Sequence, residues 1–139
     1  MVNSNYQHDD LISNILACAN KVYTQLGQGF PENIYQRALA IELERLDISF
    51  IREQEWPVFY DKDLLIGKRK VDFVIENSIM VDLKSNMDIV STDYKQFVNT
   101  IEAFQFDLGL LINFGKTSLE FKRFTNNNIN SDKNELVMH

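Results

Sequence analysis

The stretch Lys70-Val71-Asp72-Phe73-Val74-Ile75-Glu76-Asn77-Ser78-Ile79-Met80-Val81-Asp82-Leu83-Lys84 constrains the fold of this chain more than any other. Its side chains alternate with a period of two, the signature of strands with one buried face. Val71, Phe73, Ile75, Ile79, Val81 and Leu83 fall at odd numbers, and Lys70, Asp72, Asp82 and Lys84 at even ones. The alternation predicts one apolar face and one face that holds the charges. Glu76-Asn77-Ser78 interrupts the run as a turn. If all three residues form the loop, Ile75 opposes Ile79 and Asp72 opposes Asp82, with Cβ atoms about 4.5–5.5 Å apart. A two-residue turn at Asn77-Ser78 would instead shift the pairing by one and separate the carboxylates.

In the first register the charged face has a chemical meaning. Two carboxylates that close repel each other, and a divalent cation resolves the conflict. Magnesium takes oxygen ligands, typically one or two carboxylates with waters and substrate phosphates. Lys84 lies one step further along the same face and could hold an attacking water or stabilise charge developing on phosphorus. The competing reading is plainer: charged side chains commonly line a solvated sheet face, and a D-x-K on a strand is not rare.

Around this stretch the chain reads as alternating helices and strands. Apolar residues recur at helical spacing from Leu11 to Leu26, which predicts a helix over 9–26 that Gly27 stops. Pro31 suits the first position of a second helix running to about Leu46. Phe50–Tyr60 is strand-like, with Pro57 marking an edge or a bulge. Strands follow over 65–75 and 79–85. Ser91 or Thr92 can cap a third helix to about Phe104. Leu108–Asn113 reads as a buried strand, and Leu119–Phe124 pairs with it after a turn at Gly115. Residues 1–124 therefore read as one domain, and 125–139 as a polar, Asn-rich tail. The order predicts an α/β fold, a mixed β-sheet flanked by helices.

Composition removes several functions. The formal net charge of −6 argues against holding DNA through bulk positive charge. Cys18 is the single cysteine, so no intrachain disulfide is possible, and with only His8 and His139 beside it a Cys/His zinc site is nearly excluded. No apolar run approaches membrane-spanning length and the N-terminus does not read as a signal peptide, so the expected location is the cytoplasm. Gly27-Gln28-Gly29 follows a helix rather than a strand and is no dinucleotide fingerprint. Lys68-Arg69-Lys70, the only basic triplet, reads as a charged strand face, although beside two carboxylates it could receive a phosphate backbone.

Further motifs resemble the GxxExxY protein family of the PD-(D/E)XK nuclease superfamily. Gly29-Phe30-Pro31-Glu32-Asn33-Ile34-Tyr35 matches the G-x-x-E-x-x-Y signature. Leu110–Gly115 looks like the family's late strand and turn, and Leu119–Phe124 like its final strand. The resemblance covers about residues 10–124 and implies a restriction-endonuclease-like core that binds Mg²⁺ or Mn²⁺. It implies metal ligation and catalysis by Asp72, Asp82 and Glu32, with Lys84 and Gln96 also catalytic. Lys70 stands where relatives often have Arg, and with Tyr35 it is a candidate for substrate contact. Position alone favours core packing for Tyr35, with its hydroxyl at the rim. Two departures stand out: Asp82 replaces the usual Glu, and Thr100 sits where an aromatic is expected.

The resemblance implies a Mg²⁺-dependent nuclease that hydrolyses phosphodiester bonds with a metal-activated water, its partner a nucleic acid, DNA before RNA. The alternative is a nuclease-like binding or regulatory module without catalysis. The retained Asp72, Lys84, Glu32 and Gln96 favour the first; Asp82 and the acidic charge favour the second.

Overall fold

The computed structural model describes residues 4–125, with side chains described from residue 8. The elements are α1 (Ser4–Leu26), α2 (Glu32–Arg45), β1 (Phe50–Tyr60), β2 (Leu64–Ile75), β3 (Ile79–Lys84), α3 (Ser91–Ala103), β4 (Leu108–Asn113) and β5 (Glu120–Thr125). The expected tail lies, past Thr125, outside the described residues. α1 begins five residues before the expected start at residue 9, because backbone helix continues upstream of the apolar stripe that starts at Leu11. Pro31 is the N-cap of α2 rather than its first helical residue, with extended backbone at φ −71° and ψ 161°, so Glu32 opens the helix. Neither Ser91 nor Thr92 caps α3. Val90 precedes the helix, and the Asp93 carboxylate reaches back to accept the Val90 N–H at 3.1 Å. Among the described residues no helix is long and apolar enough to cross a membrane.

The strands form one mixed sheet in the order β1-β2-β3-β4-β5, with β3 and β4 parallel and the other neighbours antiparallel. Helix α3 makes the crossover that a parallel β3–β4 pair requires. Ile75 opposes Ile79 across Glu76-Asn77-Ser78, so all three residues form the loop. Glu76 and Asn77 adopt φ of 53° and 54°, which lets the chain reverse so tightly. β1 is an edge strand, and its register slips between Val58 and Phe59, next to Pro57.

Two apolar layers hold the sheet. On one face, Ile15, Ala19, Tyr35, Leu39 and Leu43 of α1 and α2 pack on Phe73, Ile75, Ile79, Val81, Leu83, Leu110 and Ile112. On the other, Phe97, Val98 and Ile101 of α3 pack on Val74, Met80, Leu111 and Phe124. β4 is buried along its whole length, as a strand covered on both faces must be. Gly109 allows α3 to sit this close, since a Cβ there would lie 2.3 Å from Ile101 Cδ1 and 2.9 Å from the Phe97 ring.

The odd–even rule fails at one point. Phe73 and Ile75 face α1 and α2, yet Val71 packs in the α3 layer. In β1, Phe50 packs on the α1/α2 side and Trp56 on the α3 side, although six residues separate them. The break falls at Glu53, with φ 54°, and at Asp72, the residues between the paired Arg52↔Phe73 and Gln54↔Val71. Beyond it, the distal half of the β1–β2 ribbon turns its apolar side onto α3, with Trp56 stacked on Phe104 at 4.8 Å.

Candidate active site

Asp72 sits where the ribbon changes face, and the β2–β3 ladder ends one step before it, at Phe73↔Val81. Past that pair, side chains take over from the backbone ladder. The Asp72 N–H donates to Asp82 Oδ1 at 3.1 Å, and Asp72 Oδ2 accepts the Leu83 N–H at 2.7 Å. The two carboxyl groups therefore meet in the gap between the strand ends. Burial pushes the Asp82 carboxyl up to about 8, and the neighbouring Asp72 charge adds to the rise.

Asp72 is fixed from the helical side. Gln36, 4% exposed, donates from Nε2 to Asp72 Oδ1 at 2.6 Å, and its Oε1 accepts Arg52 Nε at 3.2 Å. The signal for Gln36 was present in the sequence, since it lies four residues after Glu32 and so on the same helical face. Glu32 stands beside Lys84, Asp72 and the backbone of Ser85. Its carboxyl is raised first by burial of that end of the side chain, though the residue as a whole is exposed. Lys84 opposes the rise and the Asp72 charge adds to it. The loop before α2 is tied to this end of the sheet by Ser85 Oγ, which donates to Phe30 O at 2.7 Å. Gly115 permits the adjoining turn, because a Cβ there would fall 2.2–2.5 Å from the Asn86 backbone.

Lys84 points across β3 to Asp93 on α3, with Nζ 4.0 Å from Oδ1. A cavity of about 180 Å³ is lined by Lys70, Asp82, Lys84, Asp93 and Gln96, among others. Thus Asp72 meets Asp82, Glu32 feels the charges of Lys84 and Asp72, and Lys70, Lys84 and Gln96 line the cavity that Asp82 reaches. Asp93 was not foreseen; it reads as an ordinary first-turn acid of a helix, and only the packing of α3 on β3 brings it to Lys84.

Tyr35, a candidate for substrate contact, packs in the core on the α1/α2 side of the sheet. Its ring is fully buried and stacks on Phe114 at 4.4 Å, while its hydroxyl donates to Gly27 O and accepts the Phe30 N–H. A side chain enclosed in this way shapes the turn that delivers Glu32. Thr100 also has a definite role: Oγ1 accepts Arg69 Nη2 at 2.6 Å and donates to Gln96 O at 2.8 Å.

The donor set suits a hard divalent cation. Adjacent carboxyl groups, one of them with its proton affinity raised by burial and then by the other, offer the oxygen ligands magnesium uses, with waters completing the shell. Among the described residues no group of three His, Cys, Asp or Glu side chains is gathered as a ready ligand set. Asp72 and Asp82 are the pair on which a cation would rest, and the Glu32 carboxyl is near enough to feel the Asp72 charge.

A sequence model of the PD-(D/E)XK nuclease superfamily matches residues 9–124. The crystal structure of SSO0001 has a similar fold, with a TM-score of 0.52 at 13% identity, over 77% of this chain and 58% of that one. This chain thus spans less than two thirds of that protein's length. No curated protein matches it in sequence.

Proposed function

The chain belongs to the PD-(D/E)XK nuclease superfamily, and from that premise we propose that it is a divalent-metal-dependent nuclease that hydrolyses phosphodiester bonds. The observation that carries this reading is the meeting of Asp72 with Asp82, which lines a cavity together with Lys84 and whose carboxyl is pushed up to about 8. Asp72 and Asp82 would hold Mg²⁺ or Mn²⁺, with Glu32 adjoining. When bound, such an ion polarises a phosphoryl oxygen and lowers the pKa of a coordinated water.

The chain's own residues do the rest. Gln36 and the Leu83 N–H hold the Asp72 carboxylate in one orientation. The Lys84 side chain, only 22% exposed, offers positive charge where negative charge develops on phosphorus, and its ammonium lies 4.0 Å from Asp93. Glu32, whose carboxyl holds a proton more readily than a free one, suits proton exchange with a water. Gln96 can orient that water or a phosphate oxygen, and Lys70 can receive the flanking phosphate.

The experiment is calorimetric titration with Mn²⁺ together with cleavage assays on single- and double-stranded DNA and RNA. Metal binding with cleavage supports the nuclease. The second reading, a non-catalytic nuclease-like binding module, draws on the lack of a three-group ligand cluster among the described residues. It is preferred if the native protein binds no divalent metal and cuts none of these substrates.

A further inference from the structure

Beyond the face change, the β1–β2 ribbon arches over α3 and leaves a cleft of about 490 Å³ between them. Pro57, Val58 and Phe59 form one wall, and Asn99, Ala103 and Phe104 the other. Phe104 is backed by the Trp56 ring. Arg69, Gln96 and Thr100 line both this cleft and the smaller cavity that contains Asp82 and Lys84, so the two adjoin. Arg69 is pinned at the junction. Its Nε and Nη2 donate to Thr100 Oγ1 at 3.1 and 2.6 Å, and Nη2 donates to Gln96 O at 3.0 Å.

The chemistry of the walls is selective. Among the described residues that line the cleft, Arg69 is the one charged side chain, in a protein of net charge −6. The next cavity adds Lys68, Lys70 and Lys84 alongside Asp82 and Asp93. A volume of this size suits a small planar ligand rather than a chain segment. Aromatic and aliphatic walls take a π-face, and the Asn99 and Gln96 amides can meet donor and acceptor edges. The fixed guanidinium at the neck suits a phosphate oxygen.

We propose that this cleft seats one unpaired nucleobase next to the phosphodiester presented to Asp82 and Lys84, with Arg69 holding the intervening phosphate, so that the substrate is a single strand or an unpaired end. The inference rests on the nuclease reading and names its substrate class. A base can enter a recess between ribbon and helix only after leaving its stack and its partner, the constraint that makes base-modifying enzymes act on extruded or single-stranded nucleotides. A closed duplex would need a broad field of cations. Here the lysines and arginine gather at one neck.

The test measures binding by fluorescence anisotropy in EDTA, where no cleavage occurs, with short labelled single-stranded DNA, single-stranded RNA and blunt duplex DNA. The variant is Ala103→Trp, which fills the cleft from an exposed helix position, and Mn²⁺ calorimetry on the same variant reports the neighbouring site. An oligonucleotide with all sites abasic, bound to the native protein, reads the base contribution without any substitution. The expected result is tighter binding of single strands than of duplex and a loss of about tenfold for both Ala103→Trp and the abasic strand, with Mn²⁺ binding kept. The DNA and RNA arms say which sugar the cleft accepts. Equal affinity for duplex and single strand, or an abasic strand bound as well as a normal one, overturns the proposal. If the native protein binds no Mn²⁺ and cuts nothing, yet Ala103→Trp and the abasic strand both lose binding, the cleft stands and the nuclease reading falls. If the protein cuts strands but ignores the missing base, the nuclease stands and the cleft falls.

Discussion

The Asp72 N–H donates to Asp82 Oδ1 at 3.1 Å, one step beyond the last paired residues of β2 and β3. Adjacent carboxyl groups in a partly buried gap cannot both carry charge cheaply, and Asp82 bears the consequence.

Asp82 makes stability depend on pH. Its carboxyl titrates at about 8 in the folded chain against 3.8 as a free group, because of burial first and the Asp72 charge second. Between those values the folded chain keeps a proton that the unfolded chain has released. Stability therefore falls as pH rises through that window, by at most about 1.4 kcal/mol per unit, and levels off above it. Asp82→Asn removes this slope. Thermal melts in EDTA at pH 5 and pH 8 should show the native protein losing Tm across the interval and the variant losing less; equal losses would show that Asp82 ionises freely.

Metal affinity and rate should separate. Asp72→Ala leaves one carboxylate where two are needed and should abolish Mn²⁺ binding in calorimetry. Lys84→Ala removes a cation next to the incoming ion, so it should bind Mn²⁺ no worse than the native protein while losing cleavage by about 100-fold or more. If Lys84→Ala cuts as fast as native, its assigned role is wrong even if the nuclease stands.

Gln36 is a positioning residue. Gln36→Met keeps the bulk but leaves Asp72 Oδ1 without its Nε2 donor. Losing a partner of a half-buried carboxyl costs about 1 kcal/mol, read as a shift in urea midpoint. A residue that orients a ligand should also weaken Mn²⁺ by about 10–100-fold. Lower stability with unchanged Mn²⁺ affinity would reduce Gln36 to a packing role.

The two buried glycines should differ in cost. Gly109→Ala meets side-chain ends, Ile101 Cδ1 and the Phe97 ring, which can shift for about 1–3 kcal/mol. Gly115→Ala meets the Asn86 backbone at 2.2–2.5 Å, next to the Ser85 that ties down the loop carrying Glu32. Chemical denaturation should rank Gly115→Ala as the more damaging. The reverse order would show that the turn around Asn86 yields easily.

Much of this protein was legible from residue order. Period two from Phe73 to Leu83 and a three-residue turn put Ile75 opposite Ile79, and Asp72 meets Asp82 just past the end of that ladder. Helical spacing in Leu11–Leu26 located α1, and the uninterrupted apolar run Leu108–Ile112 gave a strand covered on both faces. These are local patterns, and the backbone geometry of a strand or helix converts them into faces without reference to distant residues. What sequence could not give was the change of face at Glu53 and Asp72. A positive φ at a glutamate is unfavourable by itself, so no local preference announces it. It persists because the two ends of the ribbon are held by different partners. Phe50 and Phe73 are packed under α1 and α2, Trp56 and Val71 against α3, and Gln36 draws the Asp72 carboxylate to α2 at the crossover. Alternation counts residues along one strand, whereas the direction of a carboxylate at such a break is set by packing on both sides of the sheet at once. For the same reason only the tertiary structure brought Asp93 to Lys84 and Arg69 to Thr100.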